Sequence, residues 1–553
     1  MHKLYATNRQ LELQAQNLRR QTLSELLCGA DKSVRAERLQ FYFDSIHLDA
    51  SKQRLTEETL ELLLEWALQC GVEKQRDDLF GGKALNTSEN RAALHFSARW
   101  PINASAPQSI FGTVKFCAEQ RQKMAHLVQQ IHSGKWRGVT GEPITDIVHI
   151  GVGGSDLGPK LVSETLGDAG ERRITSAHYV STMDGSQLLP LMQTLNPATT
   201  LLVLASKSFS TVDTQFNVRT ALAWLSEQLS ISTEELRKHQ VLGVSARPER
   251  MDAFGIPESH QLQFPETIGG RFSVWSAIGV SVALELGMET FETLLSGAHA
   301  MDQHFQKAPS AQNLPILLGI IGAWNTQFLK IPTHLVLPYD GRLNKLPPYL
   351  QQLEMESNGK TVRAGSSQAS QVTCPIIWGD IGPNAQHAFY QLVHQGSHEV
   401  SADFIAVAKR TTNASCSVSE HLVAQTKLTL ANCIAQSQLF ALGDDAITGN
   451  LAATTDKGYR GNQPNTVIIL ETLDAWSLGA LLALYEHKVF VQSILWGINP
   501  FDQPGVELGK KLSTSLYQVF SGNRTASEVF SGDLVDDSST RLLVERVLLM
   551  ARN

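Results

Sequence analysis

The stretch Thr145-Asp-Ile-Val-His-Ile-Gly-Val-Gly-Gly-Ser-Asp-Leu-Gly158 sets the fold class predicted for this chain. It contains an apolar strand candidate, Thr145–Ile150, followed by a glycine-rich turn and by a helix that begins at Pro159. A turn of this kind directs backbone N–H groups and a helix N-terminus at an anion. The alternative interpretation is a tight turn that needs glycine for its backbone conformation alone, and the sequence leaves both open.

The glycines match neither of the common nucleotide-binding motifs. A dinucleotide fingerprint that begins at Gly151 would need a glycine where Asp156 stands, and no Gly-Lys-Ser/Thr of a P-loop follows. What remains is a cradle for a small anion, to which Ser155 can donate its hydroxyl hydrogen. An NAD-dependent oxidoreductase built on this turn is the alternative, and a nicotinamide titration would test it.

A second anion site is predicted after the strand candidate Thr199–Ala205, because hydroxyl side chains and a lysine are crowded before the next helix. Ser210 and Asp213 have the spacing of a helix capping box, but capping does not explain the rest of the group. Many donors and one focused positive charge are what a phosphate dianion needs. The group consists of Ser206, Lys207, Ser208, Thr211 and Thr214.

Strand and helix candidates alternate in two series along the chain. Two such series predict an α/β fold of two doubly wound domains with mainly parallel sheets and a cleft between them. The strand candidates besides those above are His178–Thr182, Val241–Val244, Thr333–Leu337, Val372–Trp378, Ala402–Ala408 and Thr466–Leu470. Residues 1–75 are helical in pattern. The predicted parts are a helical N-terminal region (1–105) packed on the second α/β domain, the first α/β domain (106–285), the second (286–504) and a C-terminal helical arm (505–553).

The segment Leu346–Lys360 follows the strand candidate Thr333–Leu337, so it lies at the carboxyl end of a strand, where α/β enzymes place their chemistry. Two prolines suit its first turn and Ser-Asn-Gly ends it, which predicts a helix of a few turns. Glu354 and Glu356 are two residues apart and point about 200° away from each other on a helix. At most one of them therefore faces a pocket, and the other is solvated or paired. Taken alone, the segment favours two surface glutamates on an amphipathic helix over a catalytic one.

Other segments contain further candidates. Arg271 follows two glycines, which allow close approach of the backbone, and its guanidinium offers a fixed fork to an anion; the alternative is an arginine at a helix start that bonds to a local carboxylate. His387 and His394 share a helix face, and either could be an acid/base group because histidine titrates near neutral pH. His394 and His398 have a zinc-like spacing, but Gly396 interrupts the helix and no third ligand is evident, so no metal site is predicted.

Three more charged residues have an ordinary interpretation when each is taken alone. Arg91 and His95 are close together in the irregular segment Phe80–Trp100, where surface salt bridging and core packing are favoured over function. Lys510, in the last Pro/Gly-initiated helix, would usually be solvated.

The composition excludes several classes of protein. A chain of 553 residues is long enough for two or more cores, and its net charge of −7 gives no reason to expect nucleic acid or an anionic membrane as partner. The six cysteines are far apart, which is typical of thiols in a reducing compartment. No signal peptide is apparent, and the longest apolar run, around Leu478–Tyr485, is too short to span a bilayer, so a cytoplasmic protein is expected.

The candidates together comprise an anion cradle, a glutamate, a histidine, an arginine and a lysine. Such a set suits proton transfer next to a carbonyl group on a phosphorylated substrate. A carboxylate takes the carbon-bound proton and returns it to the neighbouring carbon, while a cation stabilises the enediolate oxygen. A cyclic sugar would need a further acid/base group to open its ring.

Three segments resemble the glucose-6-phosphate isomerase (phosphoglucose isomerase) family: Gly269-Gly-Arg-Phe-Ser-Val-Trp-Ser276, Met355-Glu-Ser-Asn-Gly-Lys360 and Phe501-Asp-Gln-Pro-Gly-Val-Glu-Leu-Gly-Lys510. The likeness extends from about residue 40 to the C-terminus. It implies two sugar-isomerase (SIS-type) domains and a homodimer with active sites at the subunit interface. It also implies reversible conversion of glucose 6-phosphate to fructose 6-phosphate without a cofactor.

The resemblance implies a role for each candidate. Glu356 becomes the base that moves the proton, which leaves Glu354 as the solvated acid. His387, arriving from the partner subunit, and Lys510 open the ring, while Arg271 stabilises the enediolate and His394 is structural. The residues implied to contact phosphate and sugar are Gly154, Ser155, Ser206, Lys207, Ser208, Thr211, Thr214, Gln352 and Gln503.

The sequence departs from the usual family pattern at Pro504, at Asp213 and along Phe96–Trp100, and none of these changes removes a charged catalytic group. A non-catalytic sugar-phosphate sensor with SIS-type domains is the alternative function. A sensor needs only the phosphate cradle, so the full set of base, cation and ring-opening residues favours the isomerase.

Overall fold

The computed structural model describes residues 2–29, 32–168, 176–361, 372–410, 416–454 and 457–551. The chain divides into two compact units, Met1–Pro500 and Phe501–Asn553. The larger unit contains two β-sheets with their helices, and the described part of the smaller unit is helical.

The strands of the described residues are β1 (Gln40–Phe43), β2 (Ile46–Asp49), β3 (Asp146–Ile150), β4 (Ser176–Val180), β5 (Thr200–Ala205), β6 (Val241–Ser245), β7 (Gln261–Gln263), β8 (Thr333–Pro338), β9 (Ile376–Gly379), β10 (Ser401–Lys409) and β11 (Asn465–Thr472). The α-helices are α1 (His2–Leu18), α2 (Leu23–Cys28), α3 (Lys32–Arg38), α4 (Glu57–Gln69), α5 (Val72–Phe80), α6 (Phe111–His132), α7 (Leu157–Leu166), α8 (Leu188–Thr194), α9 (Val212–Leu229), α10 (Thr233–His239), α11 (Pro248–Phe254), α12 (Val280–Leu286), α13 (Met288–Lys307), α14 (Leu314–Ala323), α15 (Leu346–Leu350), α16 (Gly382–Ala388), α17 (Tyr390–Gln395), α18 (Cys416–Leu442), α19 (Gly449–Thr454), α20 (Ala475–Trp496), α21 (Glu507–Phe520), α22 (Ala526–Gly532) and α23 (Ser538–Met550).

The first sheet has the strand order β4-β3-β5-β6-β7, and all of its pairs are parallel. Its two faces are covered by different helices. Val148 of β3 belongs to an apolar cluster with Val218 and Leu222 of α9. The next residue, His149, points to the other face and bonds to Ser281 of α12. Helices on both faces of a parallel sheet make this half of the unit doubly wound.

The second sheet has the order β1-β2-β11-β10-β8-β9, in which β8 to β11 are parallel. On one face Phe404 of β10 packs with Phe440 of α18, and on the other Asp403 accepts a hydrogen bond of 3.0 Å from the Tyr485 hydroxyl of α20. The predicted α/β class with two doubly wound, mainly parallel sheets is therefore confirmed.

The N-terminal part of the chain corrects one prediction. Residues 1–75 were predicted to be helical, but β1 and β2 form an antiparallel hairpin whose second strand pairs with β11 at the sheet edge. The turn needs Asp44 at a φ of +49°, and the alternate residues Ile46 and Leu48 are fully buried against the sheet. Pairing with a strand more than 400 residues away has no signature in local periodicity, which explains the error.

The strand predicted at Val372–Trp378 is also shifted. The observed strand β9 begins at Ile376, and Cys374 before it has a φ of +37°, which a strand cannot accommodate. The short edge strand β7 was not predicted.

Helix α20 (Ala475–Trp496) extends beyond the apolar run Leu478–Tyr485 that the sequence shows within it. Among the described residues it is the helix that is long and apolar enough to cross a membrane by length and composition. All of its apolar window is buried inside the larger unit, as in the core helix of a globular protein.

The smaller unit contains α21, α22 and α23. These helices pack around an apolar cluster of Val519, Val529, Phe530 and Val544. The bounds predicted for the four parts of the chain stay predictions.

Candidate active site

The first candidate residues lie where the first sheet reverses its strand order. β3 and β5 are neighbours with Ile150 opposite Leu204, so the turns that follow them, Gly151–Asp156 and Ser206–Thr211, lie side by side. From β3 the chain forms β4 on one side and then returns to form β5 on the other. Ligands of doubly wound sheets bind in the crevice at such a point, which supports an anion site here.

Close contacts explain two glycines of the first turn. Gly153 has a φ of +59°, and a Cβ there would lie 2.9 Å from the amide nitrogen of Gln352. A Cβ on Gly154 would lie 2.1 Å from the backbone of Gly270. The turn is thus packed directly on the segment before Arg271 and beneath the Gln352 side chain. Backbone conformation favours glycine at Gly153, and close packing on Gly270 favours it at Gly154; the same contacts bring candidate residues together.

The fully buried His149 holds this turn from inside the sheet. Its Nε2 donates to the carbonyl oxygen of Ser155 at 2.6 Å, and its Nδ1 accepts from the Ser281 hydroxyl at 2.7 Å. Burial lowers the pKa of His149 to about 4, so the ring stays neutral and keeps this hydrogen-bonding pattern. Burial also raises the pKa of Asp156, the residue that follows Ser155, to about 6.

The hydroxyl cluster is partly connected within itself. The Ser206 and Thr211 hydroxyls are 3.0 Å apart. Thr214 is buried, and its Oγ1 has no hydrogen-bond partner among the described residues. Ser208 is exposed at the rim, where its carbonyl accepts a hydrogen bond of 2.6 Å from Arg250. A buried hydroxyl without a partner is costly, and a bound oxyanion would satisfy it.

Lys207 connects the hydroxyl cluster to the segment that carries Arg271. Its Nζ donates to the carbonyl oxygens of Glu266 and Ile268, both at 2.8 Å. Burial, together with the nearby Arg91 guanidinium, lowers the pKa of Lys207 to about 8. The ammonium is thus held in place by backbone carbonyls beside the cradle and is still charged at neutral pH.

Arg271 is buried at the centre of the arrangement. Its Nε donates to the Ser357 hydroxyl at 2.6 Å and its Nη2 to the carbonyl of Pro500. Its Nη1 lies 3.7 Å from the Glu356 carboxylate. The guanidinium therefore faces Glu356 in a fixed orientation, as stabilisation of a developing oxyanion requires.

The two glutamates of the Leu346–Lys360 segment have opposite environments. The side chain of Glu356 is 19% exposed, and its Oε2 has no hydrogen-bond partner among the described residues. Glu354 was expected to be solvated, and this is wrong: its side chain is 0% exposed and lies 2.7 Å from Nζ of Lys488 on α20. The sequence predicted that the two acidic side chains point in different directions. The packing of α20 against the helix shows that the side chain of Glu354 also points into the interior.

The helix that carries these acids changes its winding. After α15 the segment Gln351–Glu356 is a π-helix, and Asn358 then donates to the carbonyl of Val489 on α20. A π-helical turn in an α-helix is often found at functional sites because it shifts the direction of the side chains that follow. The sequence predicted an ordinary helix of a few turns here.

His387 and His394 differ in exposure. His387 is exposed on α16. His394 is buried among the rings of Tyr390, Phe440 and Tyr459 and lies 3.1 Å from the Gln436 amide oxygen. His394 is therefore part of the packing, and His387 is on the surface.

The last two candidates belong to the smaller unit. Gln503 is exposed, and Lys510 is exposed on α21 with its Nζ 3.0 Å from the Glu507 carboxylate. Their assignment to the site stays a prediction.

The structure also places residues near the site that were not assigned to it. Leu94 donates its backbone N–H to the carbonyl of Thr267 at 3.0 Å, and His95 stacks on Phe272 with ring centroids 4.8 Å apart. Residues 86–95 thus lie along the segment that carries Arg271. The proximity of Arg91 and His95 in an irregular segment was the available signal.

The described residues contain no group of three or more histidine, cysteine or acidic side chains that could hold a metal ion. The fold and the site define an α/β enzyme with a carboxylate–guanidinium centre beside a candidate anion cradle.

Comparison with known proteins identifies the family. The phosphoglucose isomerase family model matches residues 49–544, and the chain belongs to that family. The resemblance noted from the three sequence segments is thereby confirmed.

Individual relatives agree over nearly the whole chain. Glucose-6-phosphate isomerase 2 of Chromohalobacter salexigens is 48% identical over 505 residues, which cover 90% of this chain and 89% of the relative. Glucose-6-phosphate isomerase of Psychrobacter arcticus is 44% identical over 556 residues, which cover 99% and 98%. The crystal structure of a glucose-6-phosphate isomerase from Chlamydia trachomatis matches with a TM-score of 0.82 at 28% identity and covers 95% of this chain and 98% of that one.

Proposed function

We propose that this chain interconverts D-glucose 6-phosphate and D-fructose 6-phosphate as a glucose-6-phosphate isomerase. The observation that carries the proposal is the facing pair of Glu356 and Arg271, 3.7 Å apart, beside the two turns at the switch point of the first sheet. Membership of the phosphoglucose isomerase family supports the same reaction.

In this proposal Glu356 is the base that moves a proton between C2 and C1. A carboxylate without hydrogen-bond donors on one oxygen is well suited to accept a carbon-bound proton. Arg271 stabilises the negative oxygen of the cis-enediolate, and its buried guanidinium, held by two hydrogen bonds, needs no rearrangement to do so. Both groups act without a cofactor.

The far end of the substrate is bound by the two turns. Backbone N–H groups near Gly154, the hydroxyls of the Ser206–Thr214 cluster and the Lys207 ammonium provide donors and positive charge for a phosphate dianion. In this proposal Gln352 contacts the sugar, which the position of its amide over Gly153 supports. The set of contact residues is Gly154, Ser155, Ser206, Lys207, Ser208, Thr211, Thr214, Gln352 and Gln503.

Ring opening is assigned to His387 and Lys510, with His387 donated by the partner in a homodimer. The exposure of His387 on α16 supports a role in a second subunit. The neighbouring helix α18 exposes the apolar side chains of Leu428 and Ile434, at 66% and 52%, as a helix that packs on another chain would. The protein is proposed to be cytoplasmic.

The test is isomerisation of fructose 6-phosphate by the purified protein in the presence of a chelator. In Glu356→Gln we expect exchange of the C1 proton of fructose 6-phosphate with solvent to be lost while fructose 6-phosphate still binds. Glu119→Gln, at an exposed acid on α6, is the matched control and is expected to behave as wild type. Exchange at the wild-type rate in Glu356→Gln would assign the base to another residue, and a wild-type protein without isomerase activity would favour a sensor.

A further inference from the structure

The segment Asn86–Arg91 forms a rigid loop next to the site. Asn86 and Arg91 exchange two backbone hydrogen bonds, and Asn499 donates from its amide to Asn86 Oδ1 at 2.9 Å and to the Ser88 hydroxyl at 3.0 Å. The carbonyl of Asn499 in turn accepts from Lys360 at 2.5 Å. The loop is therefore fixed to the residues that follow Glu356.

The other end of this segment is fixed to the residues that hold Lys207. Leu94 donates to the carbonyl of Thr267, and Lys207 donates to the carbonyls of the two flanking residues, Glu266 and Ile268. The loop segment and the Lys207 ammonium thus both donate hydrogen bonds to carbonyls of the same three residues, 266–268. This contact brings the Arg91 end of the loop towards the phosphate cradle.

Arg91 and Glu89 form an ion pair on this loop. Glu89 Oε2 contacts Nη2 of Arg91 and also accepts a hydrogen bond of 2.8 Å from the Asn86 amide. Both charged side chains remain accessible, at 27% for Arg91 and 44% for Glu89. Of the charged groups that shift the pKa of Lys207, Arg91 has the largest effect and Glu89 the next.

We propose that Arg91 is a further substrate-binding residue, which binds the phosphate group together with Lys207, and that Glu89 holds its guanidinium while the site is empty. The inference deepens the proposed function and rests on it. A phosphate dianion is a better partner for a guanidinium fork than a half-exposed carboxylate, so the incoming phosphate displaces Glu89. Three cations, Arg91, Lys207 and Arg271, then share the negative charge of the substrate.

Two variants with opposite expected effects test this inference. In Arg91→Gln we expect KM for fructose 6-phosphate and the dissociation constant of inorganic phosphate to rise about tenfold, because one charge-assisted hydrogen bond to the phosphate is lost. kcat should stay within about twofold, because the proton-transfer groups are untouched. In Glu89→Gln both constants should fall, by about two- to fivefold, because the competing carboxylate is gone.

The measurements are steady-state kinetics at constant ionic strength and calorimetric titration with inorganic phosphate in a phosphate-free buffer. The control is Arg137→Gln, which removes one positive charge before the amino end of β3, on the side of the first sheet opposite the cradle, and is expected to leave both constants unchanged. Titration with phosphate decides the role of Arg91 even if the wild type proves not to be an isomerase.

Wild-type affinity for phosphate in Arg91→Gln would overturn the inference. So would a joint loss of kcat and thermal stability in both Arg91→Gln and Glu89→Gln with phosphate affinity unchanged, because that result would mean that the pair only supports the loop.

Discussion

Replacing Glu354 by glutamine is expected to destabilise the protein and to leave its chemistry in place. The Glu354 carboxylate is fully buried, and its Oε1 accepts a hydrogen bond of 2.7 Å from Nζ of the equally buried Lys488. In Glu354→Gln the lysine ammonium would remain inside the larger unit without its counter-ion. The ammonium must then stay charged and unpaired or give up its proton.

The size of the effect follows from these two options. Removing one partner of a buried ion pair costs about 3–5 kcal/mol. Neutralising an ordinary lysine at pH 7 costs about 4.6 kcal/mol, because its pKa is about 10.4 and each pH unit is about 1.36 kcal/mol. The glutamine oxygen can still accept one hydrogen bond, so we expect a loss near the lower end, about 3 kcal/mol.

Hydrogen exchange followed by mass spectrometry measures this loss locally, which suits a chain too large for two-state unfolding. Peptides that cover Gln351–Ser357 and α20 should exchange about two orders of magnitude faster in Glu354→Gln. The double variant Glu354→Leu/Lys488→Met replaces the pair by apolar side chains and is expected to lie within about 1 kcal/mol of wild type.

One outcome would refute the assignment of the two acids. If Glu354→Gln kept wild-type hydrogen exchange in these peptides but no longer exchanged the C1 proton of fructose 6-phosphate with solvent, Glu354 would be the base and its contact with Lys488 part of the mechanism.

Two further predictions concern the anion cradle. Gly154→Ala should lower kcat/KM for fructose 6-phosphate by about a hundredfold, because the new Cβ would lie 2.1 Å from the Gly270 backbone and must displace the turn. Steady-state assays check this. The control is Gly112→Ala, whose new Cβ would have nothing within 4 Å. The pKa of Lys207 is about 8, so its ammonium charge is lost as the pH rises from 7 to 9. The dissociation constant of inorganic phosphate should therefore rise by up to about tenfold per pH unit above pH 8, as followed by calorimetric titration. Lys207→Arg should remove this dependence, and an unchanged pH profile in that variant would attribute it to another group.

Local sequence signals were enough for much of the fold. Strands such as β5 and β8 are short apolar runs followed by polar or glycine-rich turns, and these runs are found within one or two residues of their predicted bounds. β5 is buried along its whole length, so apolar side chains are favoured on both of its faces. This pattern distinguishes a strand of a covered parallel sheet from a half-exposed strand.

Non-local contacts decided what the sequence analysis missed. The β1–β2 hairpin gains its stability from pairing with β11, and the charge of Arg91 acts on Lys207 because residues 86–95 lie along the Thr267 segment. Neither relationship leaves a periodic pattern in the segments involved.

The sequence alone determined the family of this protein, the alternation of strands and helices, and the candidates Glu356 and Arg271, because backbone propensity, glycine spacing and short motifs are properties of neighbouring residues. The tertiary structure alone decided that Glu354 is interior, that Arg271 faces Glu356 at 3.7 Å, and that Lys207 is held by the backbone beside Arg271. Burial and charge pairing depend on which distant segments pack together, and those contacts cannot be read from local sequence patterns.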